Sequence, residues 1–146
     1  MTFNAVALPE PTPDLIAALE AAGLPTDDLH EPGRCFYRFD DAAGPIGFGG
    51  LEQIGPDALI RSIVVIDDHR GSGHGSMMLS WLEAKAAEQQ ASGLYLLTTS
   101  ATAFFERHRY VVLPRSAAPP AITASRQFSA LCPASAAFMF KALHTR

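Results

Sequence analysis

The chain has 146 residues, of which 48% are hydrophobic and 18% charged, and its formal net charge is −4. This length and apolar content predict a single domain over residues 1–146 with a substantial core, and the acidic balance argues against a broad basic surface for nucleic acid. The first residues lack the features of a signal peptide, and no apolar run approaches the roughly 20 residues of a membrane span. We therefore expect a cytoplasmic protein that binds neither nucleic acid nor a membrane.

The cysteines and histidines predict no metal site. Cys35 and Cys132 lie far apart in the sequence and form no Cys-x-x-Cys unit, and the five histidines show no ligand spacing. Neither a zinc site nor a disulfide framework is indicated. A trivalent arsenic site on thiolates is also poorly supported, because Cys132 has only Cys35 as a possible partner.

The amino-terminal half predicts strands around two helices. Residues 3–8 form a first strand, and a helix runs from Asp14, with an acidic start, to a glycine stop at Gly23. Thr26 caps a further short helix over residues 24–29. Alternating residues 35–39 and 46–52 predict a β-hairpin across the turn at residues 40–44.

A glycine-rich turn follows the next strand, residues 59–66, and precedes a helix that starts near Ser76 and ends before Gly93. The turn reads Arg-Gly-Ser-Gly-His-Gly over residues 70–75. Glycines let successive N–H groups converge on one phosphate, and the helix dipole adds its positive end. The turn lacks the Gly-Lys-Ser/Thr of a Walker loop and the glycine spacing of a dinucleotide fingerprint, so it predicts another kind of anion site.

Arg70, Gly73 and Gly75 fill the pattern Gln/Arg-x-x-Gly-x-Gly/Ala, and the chain thereby resembles the GNAT N-acetyltransferase superfamily. Residues 93–99 are similar to the family's fifth strand, and residues 103–110 to its fourth helix. Leu96 to Thr99, the Phe104–Phe105 pair and residues 127–135 resemble a subgroup associated with arsenic-resistance operons. The resemblance implies an α/β (α+β) acyl-CoA N-acyltransferase fold, a mixed, mostly antiparallel splayed sheet flanked by helices.

The carboxyl-terminal part is longer than in an ordinary member of this superfamily. A long segment separates the strands predicted at residues 111–113 and 137–140, and residues 119–128 within it predict a helix with prolines in its first turn. Long ordered insertions tend to be lids or pocket walls. We expect residues 117–135 to form a wall of the acceptor pocket.

The resemblance implies acetyl-CoA as cosubstrate. The pyrophosphate would bind Arg70 and the backbone of the turn, while the splayed strand would expose its backbone to the pantetheine arm and offer an oxyanion donor. The alternative is a glycine turn that only caps a helix. The predicted cofactor-binding residues are Ile63, Val64, Val65, Arg70, Gly71, Ser72, Gly73, His74, Gly75, Ser76 and Phe105.

The catalytic acid and base are predicted at different places. Glu52 is the candidate base that removes the amine proton, directly or through water; the alternative is an exposed carboxylate at a strand end. Many family members carry a tyrosine acid where this chain has Phe105. Ser100, Thr99 or solvent would then protonate the thiolate, which needs little help at the thiol pKa of about 8–9.

Arg61 interrupts an apolar strand, so its charge is either paired for structure or aimed into a pocket. In a pocket it would bind an anionic acceptor, with Arg126, Thr98 and Thr99 as the other predicted substrate-binding residues. The prediction is acetyl transfer to the amine of a small, anionic acceptor, by analogy an organoarsenical or an amino-acid-like toxin. The alternatives are a non-catalytic acetyl-CoA-binding regulatory module and a peptide or protein N-acetyltransferase. Homodimers are common in the superfamily, although no residue here decides that point.

Overall fold

The computed structural model describes residues 3–66, 73–125 and 136–143. Its elements in chain order are β1 (Phe3–Leu8), α1 (Pro13–Ala21), β2 (Arg34–Asp41), β3 (Gly44–Ile54), β4 (Asp57–Val65), α2 (His74–Glu88), β5 (Gly93–Thr98), α3 (Thr102–Arg107), β6 (Val111–Leu113), a 3-10 turn (Arg115–Ala117), α4 (Pro120–Thr123) and β7 (Ala137–Ala142).

The seven strands form one sheet in the order β1-β2-β3-β4-β5-β7-β6. The pair β4–β5 is parallel and the other neighbouring pairs are antiparallel. Parallel strands need a crossover connection, and α2 supplies it between β4 and β5. The predicted mixed, mostly antiparallel sheet flanked by helices is confirmed.

Helices cover both faces of the sheet. On one face the apolar stripe of α2, with Met78, Leu79 and Leu82 fully buried, packs against the strands. On the other face Leu15 and Leu19 of α1 pack against aromatic and branched side chains of β2, β3 and β4. Farther along this second face, Ile122 of α4 packs over Leu59, Ile54, Tyr95 and Phe138.

Two predicted helices differ from the structure. Thr26 does not begin a helix, because residues 27–30 form turns in which Asp28 faces inward to two arginines. The helix predicted over residues 119–128 is the four-residue α4, and its last three predicted positions lie outside the described residues. In contrast, the helix predicted from Asp14 is present as α1, which begins one residue earlier, at Pro13. Thr12 Oγ1 caps it by accepting a hydrogen bond from the Leu15 N–H at 3.2 Å.

Gly47 lets α2 lie close to the sheet. A Cβ atom at this position would overlap the Val64 carbonyl oxygen and would stand 2.9 Å from Sδ and Cε of Met78. The neighbouring strand and the helix therefore occupy the space that a side chain would need. This packing fixes β4, the strand that borders the site, against α2.

Candidate functional site

The strands β4 and β5 separate soon after they meet. Their ladder consists of the pairs Ala58–Leu94 and Leu59–Tyr95, although both strands continue beyond them. From Ile60 onward, β4 keeps its partner β3 on one side and faces a gap on the other. The splay predicted between these strands is present, and it leaves backbone N–H and C=O groups of β4 available to a ligand.

A β-bulge at Ser62 shapes the splayed segment of β4, residues 60–65. The register with β3 passes from Phe48–Val64 to Gly50–Arg61, so β4 carries one extra residue at this point. Ser62 has a φ of 60°, which is uncommon for a residue other than glycine. The bulge changes the face of the sheet on which the following side chains lie.

A cavity of about 630 Å³ fills the gap between the splayed strands. Its size is in the range of small-molecule sites in proteins. Its described lining comes from the end of α1 and the loop after it, the splayed segment of β4, the first turn of α2, the end of β5, and α3. The lining residues are Ala21, Ala22, Gly23, Leu24, Pro25, Ile60, Arg61, Ser62, Ile63, Val64, Val65, Gly75, Leu96, Leu97, Thr98, Thr99, Ser100, Ala101, Phe104, Phe105 and Ala136.

Several residues predicted to bind the cofactor border this cavity. Ile63, Val64 and Val65 line it from β4, and Gly75 lines it from the first turn of α2. Gly73 stands immediately before the helix with a φ of 82°, a conformation that favours glycine. Arg70, Gly71 and Ser72 lie outside the described residues, so the phosphate contacts assigned to them stay predictions.

Two of the predicted cofactor residues use their side chains for contacts within the protein. His74 is buried, with Nε2 3.8 Å from Oδ2 of Asp41, the last residue of β2. Ser76 Oγ lies 2.9 Å from Nε2 of His108, at the end of α3. Both residues nevertheless belong to the first turn of α2, whose backbone N–H groups have no partner within the helix. Any contact from these two residues to an anion would therefore be made by the backbone.

Phe104 and Phe105 bring α3 against the cavity. The two rings meet edge to face, with centroids 5.1 Å apart, and Phe105 is buried. A Cβ atom at Gly75 would contact the Phe104 ring at 3.5 Å, so α3 packs directly beside the start of α2. At the position where many family members carry a tyrosine, this chain thus presents an apolar ring. Tyr110 does not replace it, because its hydroxyl donates to Glu83 on α2 at 2.9 Å.

The charge of Arg61 is paired within the protein, which is one of the two alternatives that the sequence leaves open. Its Nη1 donates to Asp28 Oδ2 at 2.6 Å and to Glu52 Oε1 at 3.2 Å, and its Nη2 donates to Asp28 Oδ1 at 2.5 Å. The side chain is 0% exposed, so the part of Arg61 that borders the cavity is main chain. The guanidinium that was predicted to meet an anionic acceptor is neutralised by two carboxylates.

Glu52, the predicted base, belongs to the same cluster. Besides Arg61, its carboxylate contacts Arg34 Nη2 at 3.5 Å, and its side chain is only 9% exposed. The alternative of an exposed strand-end carboxylate is wrong, because Glu52 is buried. We call the four alternating charges Asp28, Arg34, Glu52 and Arg61 the charge ring. Burial by itself would raise the pKa of Asp28, but the hydrogen bonds and charges of Arg61 and Arg34 lower it below its usual value.

Hydroxyl groups supply the remaining polar side chains of the cavity. Thr98, Thr99 and Ser100 line it at the end of β5, and the Thr98 hydroxyl accepts a hydrogen bond from the Ala101 N–H at 3.0 Å. Among the lining residues that the structure describes, none is an aspartate, a glutamate or a histidine. Arg126, the second cation predicted for the acceptor, lies outside the described residues.

Two residues of the charge ring, Asp28 and Arg34, are not identified by the sequence pattern. The pattern places Asp28 in a predicted helix and gives Arg34 no role. The signal for Asp28 was an apolar strand with a charge at Arg61, which requires a buried partner somewhere in the chain. Nothing in the spacing identifies that partner, because Asp28 stands 33 positions before Arg61.

Within the described residues, neither a metal site nor a membrane-spanning helix is found. No group of three or more His, Cys, Asp or Glu residues within the described ranges is arranged to hold a metal ion. None of the helices in those ranges is long and apolar enough to cross a membrane.

The splayed sheet and its crossover helix are shared with solved acyltransferase structures. A GNAT-family acetyltransferase of Staphylococcus aureus Mu50 superposes with a TM-score of 0.73 at 18% identity, covering 98% of this chain and 100% of that one. N-acetylglutamate synthase of Neisseria gonorrhoeae, complexed with coenzyme A and N-acetyl-glutamate, superposes with a TM-score of 0.75 at 15% identity, covering 97% of this chain and 35% of that one. The architecture is therefore that of the acyl-CoA N-acyltransferases.

The chain belongs to the acetyltransferase (GNAT) family, whose model matches residues 4–110. A curated relative, the uncharacterized N-acetyltransferase YjcF of Bacillus subtilis (strain 168), is 34% identical over 74 residues, which are 50% of this chain and 53% of that protein. The match thus spans about half the length of this relative. The predicted membership of the GNAT superfamily is confirmed.

Proposed function

We propose that the protein transfers the acetyl group of acetyl-CoA to the primary amine of a small acceptor, by direct attack in a ternary complex. The observation that carries this proposal is the cavity between the splayed strands, which meets the free edge of β4 and the start of α2 together. The amine nitrogen forms a bond to the acetyl carbonyl carbon. The carbon–sulfur bond breaks, the electron pair leaves on the CoA sulfur, and the amine loses one proton.

The backbone of β4 and of the start of α2 forms the cofactor side of the cavity. The pantetheine amides pair with the free edge of β4 at Ile63 to Val65, as a neighbouring strand would. The pyrophosphate lies at the start of α2, where the backbone of residues 71–76 and Arg70 receive it, and Phe105 closes the apolar side. The gap between β4 and β5 supports this assignment, since none of the described strands pairs with that edge of residues 60–65.

The acceptor side of the cavity favours a small molecule over a peptide. Residues 21–25 line it after α1, and α4 covers the same face of the sheet farther along, with Ile122 only 1% exposed. A peptide chain would need an open groove over this face. The acceptor amine would therefore enter between these two segments, beside Thr98, Thr99 and Ser100.

Proton transfer depends on water in this arrangement. The carboxylate of Glu52 is held by two arginines, so direct proton abstraction would cost it an ion pair. The acceptor loses its proton to solvent, with Ser100 or Thr99 relaying protons between the reacting groups and water. Because an alkylamine has a pKa near 10, kcat/KM at fixed total amine should rise tenfold per pH unit from pH about 6 to about 8.

The sequence favours an anionic acceptor because two cations, Arg61 and Arg126, are predicted to bind it. Arg61 is paired with carboxylates of the protein, so Arg126 is the remaining candidate, and the charge of the acceptor can be tested directly. The resemblance to the arsenic-operon subgroup adds amino-bearing organoarsenicals and amino-acid-like toxins as candidates. A preference for acidic amino compounds would assign Arg126 to the acceptor, whereas a preference for neutral amines would remove the anionic requirement.

The test is release of free CoA thiol from acetyl-CoA, with calorimetric titration of CoA into the same sample. The acceptor panel contains neutral amines, acidic amino acids, phosphinic and arsenic-containing amino acids, and short peptides. Thr99→Val and Ser100→Ala probe the acceptor side, and Ser92→Ala, at an exposed position away from the cavity, is the matched control. Turnover on a small amine supports the proposal. Turnover confined to peptides, or CoA binding without turnover on any amine, would contradict it and favour the alternatives.

A further inference from the structure

The charge ring connects two parts of the chain that line opposite sides of the cavity. Asp28 lies in the loop between α1 and β2, residues 22–33, whose first residues border the cavity on the acceptor side. Arg61 lies in β4 directly before the bulge at Ser62, and the residues after the bulge border the cavity on the cofactor side. A single ion pair, Asp28–Arg61, thus joins the acceptor-side loop to the strand that receives the thioester.

The contacts of Asp28 hold its carboxylate in one orientation. Arg61 binds both oxygens through its two terminal nitrogens, and Arg34 Nε donates to Oδ2 at 3.1 Å. Arg34 Nη1 also donates to the Pro32 carbonyl at 2.7 Å, which ties a second point of the same loop. The side chains of Asp28 and Arg61 are both 0% exposed, so solvent screens their attraction little.

The loop is held by different contacts at its start and farther along. The N–H groups of residues 22–24 donate to carbonyl groups of α1, so α1 positions the start of the loop. Leu29 is buried against α1, β2 and β3 but packs without a directional bond, whereas the forked pair with Arg61 fixes both the distance and the angle of approach. The charge ring therefore supplies the directional link between β4 and the part of the loop that follows Leu24.

We infer that Asp28 is a positioning residue, which holds the acceptor-side loop at the distance from β4 that brings the amine to the acetyl carbon. This inference rests on the proposed function. Attack requires the reacting atoms to lie within a narrow range, and a displacement of about 1 Å can cost a factor of about 100 in rate. Asp28 itself contacts neither substrate, since its side chain is closed off by the two arginines.

The test compares Asp28→Asn with Asp27→Asn, a neighbouring change at an exposed position. Asparagine keeps the shape of Asp28 but has one acceptor oxygen and turns an NH₂ group toward a guanidinium. Amide hydrogen exchange should become at least about tenfold faster in residues 22–33 of the Asp28 variant and stay unchanged in α2. CoA affinity should remain within about twofold, while kcat/KM for an acceptor falls at least about tenfold, mainly through kcat, because misplacement of the amine slows its attack.

Arg34→Lys gives a second variant in case Asp28→Asn does not fold. It keeps the positive charge but loses the fork that binds Asp28 and Pro32, so the same loop should exchange faster. Loop exchange equal to that of the Asp27 control, or a parallel loss of CoA affinity and acceptor turnover, would overturn the inference. If the wild-type protein turns over no amine, the proposed function fails, while the exchange and CoA measurements still decide the role of Asp28.

Discussion

Substitution of Gly75 by alanine should raise the stability of the free protein and lower its affinity for CoA. Gly75 is the second residue of α2, lines the cavity, and is not among the glycines with positive φ. A Cβ there would meet the Phe104 ring at 3.5 Å and Val65 Cγ2 at 3.7 Å, which are ordinary contact distances. Because alanine is favoured over glycine in a helix by about 0.5–1 kcal/mol, the variant should gain a similar amount in free energy of unfolding.

The same methyl group would project toward the bound cofactor. We expect CoA affinity to fall about tenfold or more, which corresponds to about 1.4 kcal/mol. Thermal unfolding without ligand should shift upward by about 1–4 °C for a domain of this size. Thus one change should raise the stability of the free protein and weaken its ligand binding.

Thermal unfolding and calorimetric titration of CoA on one preparation make the comparison. Ser80→Ala is the matched control, since Ser80 is an exposed residue of the same helix and does not line the cavity. That variant should gain stability without a change in CoA affinity. Unchanged CoA affinity in Gly75→Ala would refute the assignment of α2 to the cofactor, and a lower melting temperature would refute the packing argument.

Three further predictions concern stability. Gly47→Ala should destabilise the protein by about 1–3 kcal/mol or more in urea unfolding, because its Cβ would overlap the Val64 carbonyl and press on Met78; a loss no larger than that of an exposed substitution would contradict the packing described. Since ion pairs hold the pKa of Asp28 below 3.8, the ionised carboxylate stabilises the fold above that pH and ceases to do so as pH falls through the folded value. Urea midpoints measured from about pH 6 to about pH 2 should therefore fall more steeply in wild type than in Asp28→Asn, and parallel curves would show that Asp28 is not the linked group. Tyr110→Phe should cost about 1 kcal/mol by removing the bond to Glu83, with Lys141→Met as a comparison for the other partner of that carboxylate.

Much of the fold follows from local sequence. An apolar run predicts the strand over residues 59–66, and unusual glycine spacing predicts the turn after it. Helical periodicity then predicts the following helix, and all three signals lie within 35 residues. The acidic start at Asp14 and the stop at Gly23 likewise predict the limits of α1 to within two residues. These signals depend on neighbouring residues, so one sequence is enough to detect them.

The acceptor side was less predictable because its contacts are distant in sequence. Arg61 was recognised as unusual, yet whether it faced a cavity or a carboxylate depended on Asp28 in a loop that resembles a capped helix. The bulge at Ser62 decides which face the β4 residues after it occupy, and neither Ser62 nor its neighbours in the sequence indicate a positive φ. The sequence offers Glu52 as an available base because nothing in it shows that Arg34 is the cross-strand neighbour of Glu52. That pairing depends on the register of β2 and β3.

The short ladder between β4 and β5 has a consequence for how the molecule holds together. The strands β1 to β4 form one antiparallel unit and β5 to β7 another, and the backbone joins them through two residue pairs. Cohesion across this seam comes mainly from apolar side chains, in the layer beneath α2 on one face and in the cluster beneath α4 on the other, and both contain residues of the two units. A ligand that inserts along the seam would add backbone hydrogen bonds where the protein has few of its own. Such a ligand would thereby fasten the two halves of the sheet to each other, at the seam where the backbone of the free protein joins them through two residue pairs.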